Sequence, residues 1–399
     1  MNLSYVSPTS DSPWGTYLSQ IDAVEPYLGH LGRWVETLRT TEHADVVVIA
    51  MHMGMEADLR TGEPNPGQVP DENAALAIAR DVPGVDAIFM GHTHREVPNA
   101  LVNGVLLVQA NLWGRHLARA DIYLEQDAQR RWRVVAKQSR TVPVTADVEP
   151  DPAIAAMAAS YDRETQAWLA RTIGTSDAEL TSSDTRVRDT AILDLVQRVQ
   201  LDAGQADVSM VASFNAQARI PRGDVAVRDV FGLYIYDNTL LAVRVTGADI
   251  RAYLEYSARY FKQVSGTGPF TIDQLTNAVT TTAPNGTPDY NFDSVAGLDA
   301  PLVYDIDVSK PAGSRITTLT YDGAAVTDAQ QFVLAVNNYR QSGGGGFPAV
   351  STAPVVYNAQ VEIRQLLIDW VTAQKTIDPA LFASLDWRLV SGGQPITVS

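Results

Sequence analysis

Two stretches decide the fold of the first part of this chain: DVVVIAMHMG at residues 45–54 and DAIFMGHTH at residues 86–94. Each opens on an aspartate, runs through apolar and β-branched residues, and delivers a histidine as the run ends. Apolar runs of this length without alternation fit strands buried on both faces, as in parallel sheets. Between them, ENAALAIAR (72–80) has the spacing of a helix, with Asp71 placed to cap it, and Pro83-Gly84 makes a turn. Strand, crossover helix and strand predict a parallel βαβ unit. Parallel strands put their C-terminal ends on one rim, where open α/β sheets bind ligands, so His52, His92 and His94 are expected to converge there. His92 and His94 lie two apart, and in extended chain they would face one side. Imidazole is a common ligand for zinc, manganese or iron. His30, His43 and His116 lack this placement and read as structural or surface residues.

Outward from these stretches, residues 31–40 suit a helix, 59–71 form a loop rich in Gly and Pro, and 103–109, 119–124 and 132–138 read as further strands. An Ala-rich helical segment from Asp147 to Thr172 marks a boundary. Beyond it, RDTAILDLVQRVQLD (188–202) has apolar residues on one helix face, followed by a strand at ADVSMVA (206–212) and another at NTLLAVRVTG (238–247). ADIRAYLEYSARYF (248–261) reads as an amphipathic helix, residues 264–301 as a long surface excursion, and 303–308 and 332–336 as strands. No internal repeat is visible.

The 399 residues carry 46 acidic and 30 basic groups, a net charge of −16, which argues against coating a nucleic-acid polymer, since phosphate backbones are held by basic surfaces. An acidic protein still binds a small anion through a metal or a few placed arginines. With no cysteine, thiolate nucleophiles, disulfides and cysteine-based metal sites are excluded. No apolar run approaches the roughly 18 residues of a membrane span. The first basic residue is Arg33, and residues 1–20 contain no apolar run of signal-peptide length, so no export signal is expected in this chain.

MHMG (51–54) and GHTH (91–94) resemble the last two motifs of the calcineurin-like metallophosphoesterases. Residues 72–98, SFNAQARIPRGDVAVRDVFGLYIYDNTLLAVRVTGADIRAYLEYSARYF (213–261) and FVLAVNNYRQSGGGGFP (332–348) extend the likeness to bacterial 2′,3′-cyclic-nucleotide 2′-phosphodiesterase/3′-nucleotidases of the 5′-nucleotidase family, over roughly residues 10 to 370. The resemblance implies an α/β protein. Residues 1–146 would be the C-terminal portion of a metallophosphoesterase β-sandwich with flanking helices, 147–172 a linker helix, and 173–399 the α/β 5′-nucleotidase C-terminal, substrate-binding domain.

It also implies site residues. His52 and His92 would bind one divalent ion of a two-metal site and His94 the other, with Zn, Mn, Co or Fe not distinguished by such ligands. Asn215 and Arg219 match the residues that hold substrate. Tyr236 and Tyr339 fall where two rings sandwich the base, and Gly343, Gly344 and Gly345 form a glycine loop at the nucleoside. In 5′-nucleotidases that loop reads Gly-Gly-Asp-Gly-Phe, its Asp holding the ribose hydroxyls. Gly345 takes that place here, which favours a 2′,3′-cyclic or 3′-phosphorylated ribose, with no free diol to hold.

The family's Asp-x-His, Gly-Asp and Gly-Asn-His-Glu/Asp motifs, which carry the bridging carboxylate and the catalytic histidine, do not occur before His52. The chain is therefore expected to begin inside the phosphoesterase domain, with residues 5–18 downstream of those motifs and an upstream segment as a partner. The expected function is metal-dependent hydrolysis of 2′,3′-cyclic nucleotides and 3′-nucleotides, impaired in this chain alone. The alternatives are a non-catalytic nucleotide-binding protein and a 5′-nucleotidase or nucleotide-sugar hydrolase. Family members are usually periplasmic or extracellular.

Overall fold

A computed structural model describes residues 27–63, 73–278 and 286–399. The expected cap Asp71, most of the 59–71 loop and the stretch 5–18 lie outside the described residues. The chain divides into two compact units at Ala155/Ala156.

In the first unit, α1 (Tyr27–Thr40) precedes β1 (Val48–Ala50), α2 (Ala75–Asp81) and β2 (Ala87–Met90), followed by β3 (Glu96–Val102) and β4 (Val105–Ala110). The sheet order is β1-β2-β4-β3. β1, β2 and β4 are parallel, as the βαβ pattern predicts, and β3 turns back antiparallel on β4. Leu76, Ile78, Ile88, Met90 and Leu107 meet in the core beneath α2, which is why the apolar face of ENAALAIAR forms a helix here. α2 is capped from a distance: both carboxylate oxygens of Glu56 accept from its first free N–H groups, at Leu76 (3.0 Å) and Ala77 (2.8 Å). Asp86, buried just before β2, accepts from the Val47 N–H (2.9 Å), pairs with Arg39 of α1 and faces Lys137 at 3.6 Å.

The strands β5 (His116–Gln126) and β6 (Trp132–Pro143) do not extend this sheet. They pair with each other as a separate antiparallel ribbon. Their sequence marks them as strands but says nothing of which edge they join.

Helix α3 (Pro152–Leu169) spans the division between the units and buries none of its residues. The second unit is built on α4 (Ala191–Gly204), β7 (Val208–Ala212), β8 (Thr239–Thr246), α5 (Gly247–Ser257), β9 (Asp293–Ala296), β10 (Gln331–Asn337), β11 (Val355–Glu362) and α6 (Ile363–Gln374). The five strands form one sheet, ordered β9-β7-β10-β8-β11. β10 runs parallel to β7 and antiparallel to β8, and β9 runs antiparallel to β7.

Alternation along the strands feeds two cores. Leu241, Val243, Leu334 and Val336 meet Tyr253 and Leu254 of α5 on one face. Leu240 and Ala335 meet Ile192, Val196 and Leu367 of α4 and α6 on the other. A second five-stranded sheet, centred on Leu302–Asp307, adds Trp387 and Leu389 to the first of these cores.

The expected surface excursion at 264–301 is overturned in part. Leu275 and Phe292 are fully buried, and Asp293–Ala296 is an edge strand with every residue buried. A tract rich in Gly, Thr and Asn conceals a four-residue strand too short for its pattern to stand out. Among the described residues, no helix is long and apolar enough to cross a membrane.

Candidate functional site

The histidines gather at the end of the parallel strands in the first unit. β1 stops at Ala50 and β2 at Met90, and the rings of His52 and His92 lie edge to face with centroids 5.1 Å apart. His94 stands beside Trp113, with ring centroids 6.4 Å apart. Burial holds its imidazole below the usual range, and the nearby His92 and His52 add to the shift, so it favours the neutral form that ligates metals.

The two loops approach closely because Gly54 has no side chain: a Cβ there would fall 2.4 Å from Thr93 Oγ1. Across the same gap the Gly91 N–H donates to the Met53 carbonyl at 3.0 Å.

One expectation fails. Residues 92–94 are not extended: His92 and His94 have φ of 67° and 53°, in the left-handed region, and the Thr93 N–H bonds back to the Gly91 carbonyl at 2.7 Å. The tight turn, anchored by Thr93 Oγ1 donating to Gln109 Oε1 (3.0 Å), replaces the alternation of a strand. Positive φ at a non-glycine residue is costly and concentrates at functional sites.

As metal donors the three imidazoles fit in type but do not form a closed set. Among the described residues, the group of three or more side chains whose ligand atoms all lie within 4.8 Å of one another is Asp189, Asp194 and Asp386, not the histidines.

In the second unit, the directions of the strands bring four segments to one rim of the sheet. The C-terminal ends of β7 and β10 lie there with the N-terminal ends of β8 and β9, since Leu240 pairs with Asn337 and Asp293 with Ala212. Tyr236 precedes β8 and Tyr339 follows β10, so two residues far apart in sequence flank the same end of one ladder. Tyr236 remains 40% exposed, enough ring to receive a flat ligand, and packs at right angles against Phe214 (centroids 5.0 Å apart) and Tyr290 (6.5 Å). Partial burial raises its hydroxyl pKa. Phe214 and Tyr290 were not singled out from the sequence. Phe214 stands next to Asn215, but Tyr290 lies in the misread 264–301 tract.

Asn215 donates to the Gly232 carbonyl at 2.9 Å and accepts from the Gln217 N–H at 3.0 Å, which shapes its own turn. Arg219 is exposed and paired with Glu179, with Nε at 2.8 Å.

Gly343, Gly344 and Gly345 lie in the turn after Tyr339. Gly345 has φ of 75°, and a Cβ on it would fall 2.5 Å from Arg340 Nη1 and 2.7 Å from Asn291 Oδ1. Its lack of a side chain thus has a local cause, independent of any ribose. Its carbonyl accepts from the Tyr256 hydroxyl at 2.9 Å.

Residues 172–352 match the family model described as 5′-nucleotidase, C-terminal domain. This segment is a 5′-nucleotidase C-terminal domain. The rim carrying Tyr236, Tyr339 and the glycine loop lies wholly within that domain.

The trifunctional nucleotide phosphoesterase protein YfkN of Bacillus subtilis is 29% identical over 398 residues, 88% of this chain and 26% of that protein. A 2′,3′-cyclic-nucleotide 2′-phosphodiesterase/3′-nucleotidase of Haemophilus influenzae is 28% identical, over 89% of this chain and 58% of its own length. The family expected from the motifs is therefore the one to which this chain is similar, and the chain spans 26% and 58% of these two curated relatives. A crystal structure from Staphylococcus aureus, named provisionally as a 5′-nucleotidase, superposes with a TM-score of 0.71 over 92% of this chain and 68% of its own. At 24% identity this likeness speaks to fold, and it agrees with the α/β architecture expected from the sequence.

Proposed function

We propose that this chain takes part in metal-dependent hydrolysis of 2′,3′-cyclic nucleotides and 3′-nucleotides to nucleoside and phosphate. The observation that carries this reading is the aromatic rim of the 5′-nucleotidase C-terminal domain, with half-exposed Tyr236 braced by Phe214 and Tyr290 at the sheet end that also bears Tyr339 and the glycine loop. Aromatic rings stack on any base, for roughly 1–3 kcal/mol each. In this reading Tyr236 and Tyr339 hold the base. Asn215 and Arg219 face the rest of the nucleotide, and residues 343–345 allow close backbone approach. Arg219 would exchange Glu179 for the ligand, a small cost because the pair is exposed. We keep residues 1–146, 147–172 and 173–399 as phosphoesterase portion, linker helix and substrate domain.

In the first unit, His52 and His92 would hold one divalent ion and His94 a second, both drawn from Zn, Mn, Co or Fe. Such ions supply Lewis-acid polarisation of the phosphate and an activated water. The chain's own residues place the His92 and His94 imidazoles on a turn held by Thr93 and packed against Gly54. Three imidazoles are too few to fix two ions, so turnover needs further ligands beside them.

The set of Asn215, Arg219, Tyr236 and Tyr339, which needs no metal, supports a second reading, a nucleotide-binding protein without turnover. Calorimetry on the full chain with 3′-AMP, 2′,3′-cyclic AMP and 5′-AMP, followed by phosphate release with Mn²⁺ or Zn²⁺, separates the two. Saturable binding of 3′-AMP is expected. Binding of no nucleotide overturns both readings, and a preference for 5′-AMP overturns the substrate branch.

A further inference from the structure

Three aspartates that no part of the nucleotide reading uses meet in the second unit. Asp189 stands two residues before α4, Asp194 is the fourth residue of that helix, and Asp386 precedes the strand Trp387–Ser391. Facing atoms from all three lie within 4.8 Å of one another. Asp194 and Asp386 are 0% and 1% exposed.

Few donors reach them. Asp189 accepts from the N–H groups of Thr190 (2.9 Å) and Asp386 (2.5 Å). Asp386 Oδ1 accepts from Ser384 Oγ at 2.9 Å, and Asp194 Oδ2 from the Ser384 N–H at 3.3 Å. Asp194 Oδ1, Asp386 Oδ2 and Thr190 Oγ1 are buried and have no hydrogen-bond partner. Burial raises both the Asp194 and Asp386 carboxyls, and the neighbouring aspartates add to the shift.

A carboxylate near a helix N-terminus is stabilised by the helix dipole, which accounts for one acid here. It does not account for three acids with two partnerless oxygens. Buried carboxylates are paired, protonated or bound to a cation. Oxygen-only donors, without nitrogen or sulfur, match a hard divalent ion.

We propose that Asp189, Asp194 and Asp386 form a structural site for a hard divalent cation, of the Ca²⁺ class. The ion ties the start of α4 to the strand at Trp387. The site uses none of the histidines and none of the residues assigned to nucleotide.

The test uses the full chain, stripped with chelator and dialysed. Terbium titration with tryptophan excitation exploits Trp387, adjacent to the cluster and buried, as the antenna. Calorimetry and thermal unfolding with CaCl₂ and MgCl₂ measure affinity and effect. One ion per chain and a raised Tm are expected, both retained in a His52→Ala/His92→Ala/His94→Ala variant and lost in Asp194→Asn/Asp386→Asn. The asparagine variant removes repulsion at constant shape and is expected to fold, with a metal-free Tm at or above that of the parent. Absence of saturable binding up to about 1 mM, the weak end of protein calcium sites, overturns the proposal. Binding that survives Asp194→Asn/Asp386→Asn, or that disappears with the histidines, overturns it as well. The nucleotide reading stands or falls separately, on the 3′-AMP titration.

Discussion

Arg340 and Asp293 form a buried, two-point ion pair, Nε to Oδ2 at 2.7 Å and Nη2 to Oδ1 at 3.1 Å, with side chains 2% and 0% exposed. It joins the turn after β10 to the first residue of β9. The same guanidinium donates to Asn291 Oδ1 and the Gly344 carbonyl, both at 3.1 Å, and lies 4.2 Å from the centre of the Phe347 ring. Tyr253 donates its hydroxyl to Asp293 as well. The glycine loop is thus seated on a charge that the sheet itself supplies.

Removing one partner leaves the other charge buried and unpaired, which costs about 3–5 kcal/mol. Arg340→Met is expected to lower stability by that order and Asp293→Asn by somewhat less, since Asn keeps an acceptor. The double variant should cost less than the sum of the two. Urea unfolding of the four proteins checks this; simple additivity would mean that the pair is not coupled.

Gly345→Ala introduces a Cβ where φ is 75° and Arg340 Nη1 would stand 2.5 Å away. Strain of this kind costs of order 1–3 kcal/mol. The loop must also shift, so weaker 3′-AMP binding is expected together with the lower Tm. Gly313→Ala, with φ of 88° and open space around it, serves as the control that carries backbone strain without the clash.

Tyr236→Ala should weaken 3′-AMP binding by the worth of one stacked ring, about 1–3 kcal/mol. Calorimetry reads it directly. Tyr236→Phe keeps the ring and should bind nearly as the parent does. A parent-like affinity in Tyr236→Ala would remove this ring from the nucleotide site.

A pH dependence follows from the aspartate cluster. Burial, with the neighbouring aspartates, pushes Asp194 up to about 9 and Asp386 up to about 7. Both lie above the ordinary carboxyl value, so the folded chain holds protons that the unfolded chain has released. That stabilisation is complete below pH about 4 and is lost as pH rises through the folded values. In chelator, stability should therefore fall between pH 5 and 7 by about 1.4 kcal/mol per pH unit for each proton retained. Asp194→Asn should flatten that slope, which denaturant titrations at several pH values would measure.

Much of the architecture was legible from pattern. The buried run at 86–90, the crossover helix before it and the helix face at 188–202 appear where their pattern puts them, whereas the run at 45–51, expected to be buried, gives only the three-residue edge strand Val48–Ala50, none of whose residues is buried. The sites were legible in a different way. His52 and His92 stood out because each follows a predicted strand, whereas Tyr236 stood out only through the family resemblance, since nothing local distinguishes a rim tyrosine from a core one. What the pattern missed was short or remote: the four-residue strand Asp293–Ala296, the Glu56 cap on α2, and the turn that replaces extended chain at His92 and His94.

The sequence by itself determined where most elements lie, that β1 and β2 pair in parallel, and which residues carry the family likeness. Only the tertiary structure decided that Tyr236, Tyr290, Tyr339 and the glycine loop share one rim, that Arg340 and Asp293 hold that rim from beneath, and that Asp189, Asp194 and Asp386 meet. Each of these depends on strands pairing across long stretches of sequence, 47 residues from Asp293 to Arg340 and 197 from Asp189 to Asp386. Propensity and periodicity act over a few residues. They fix the elements, while sheet order and packing fix which side chains become neighbours.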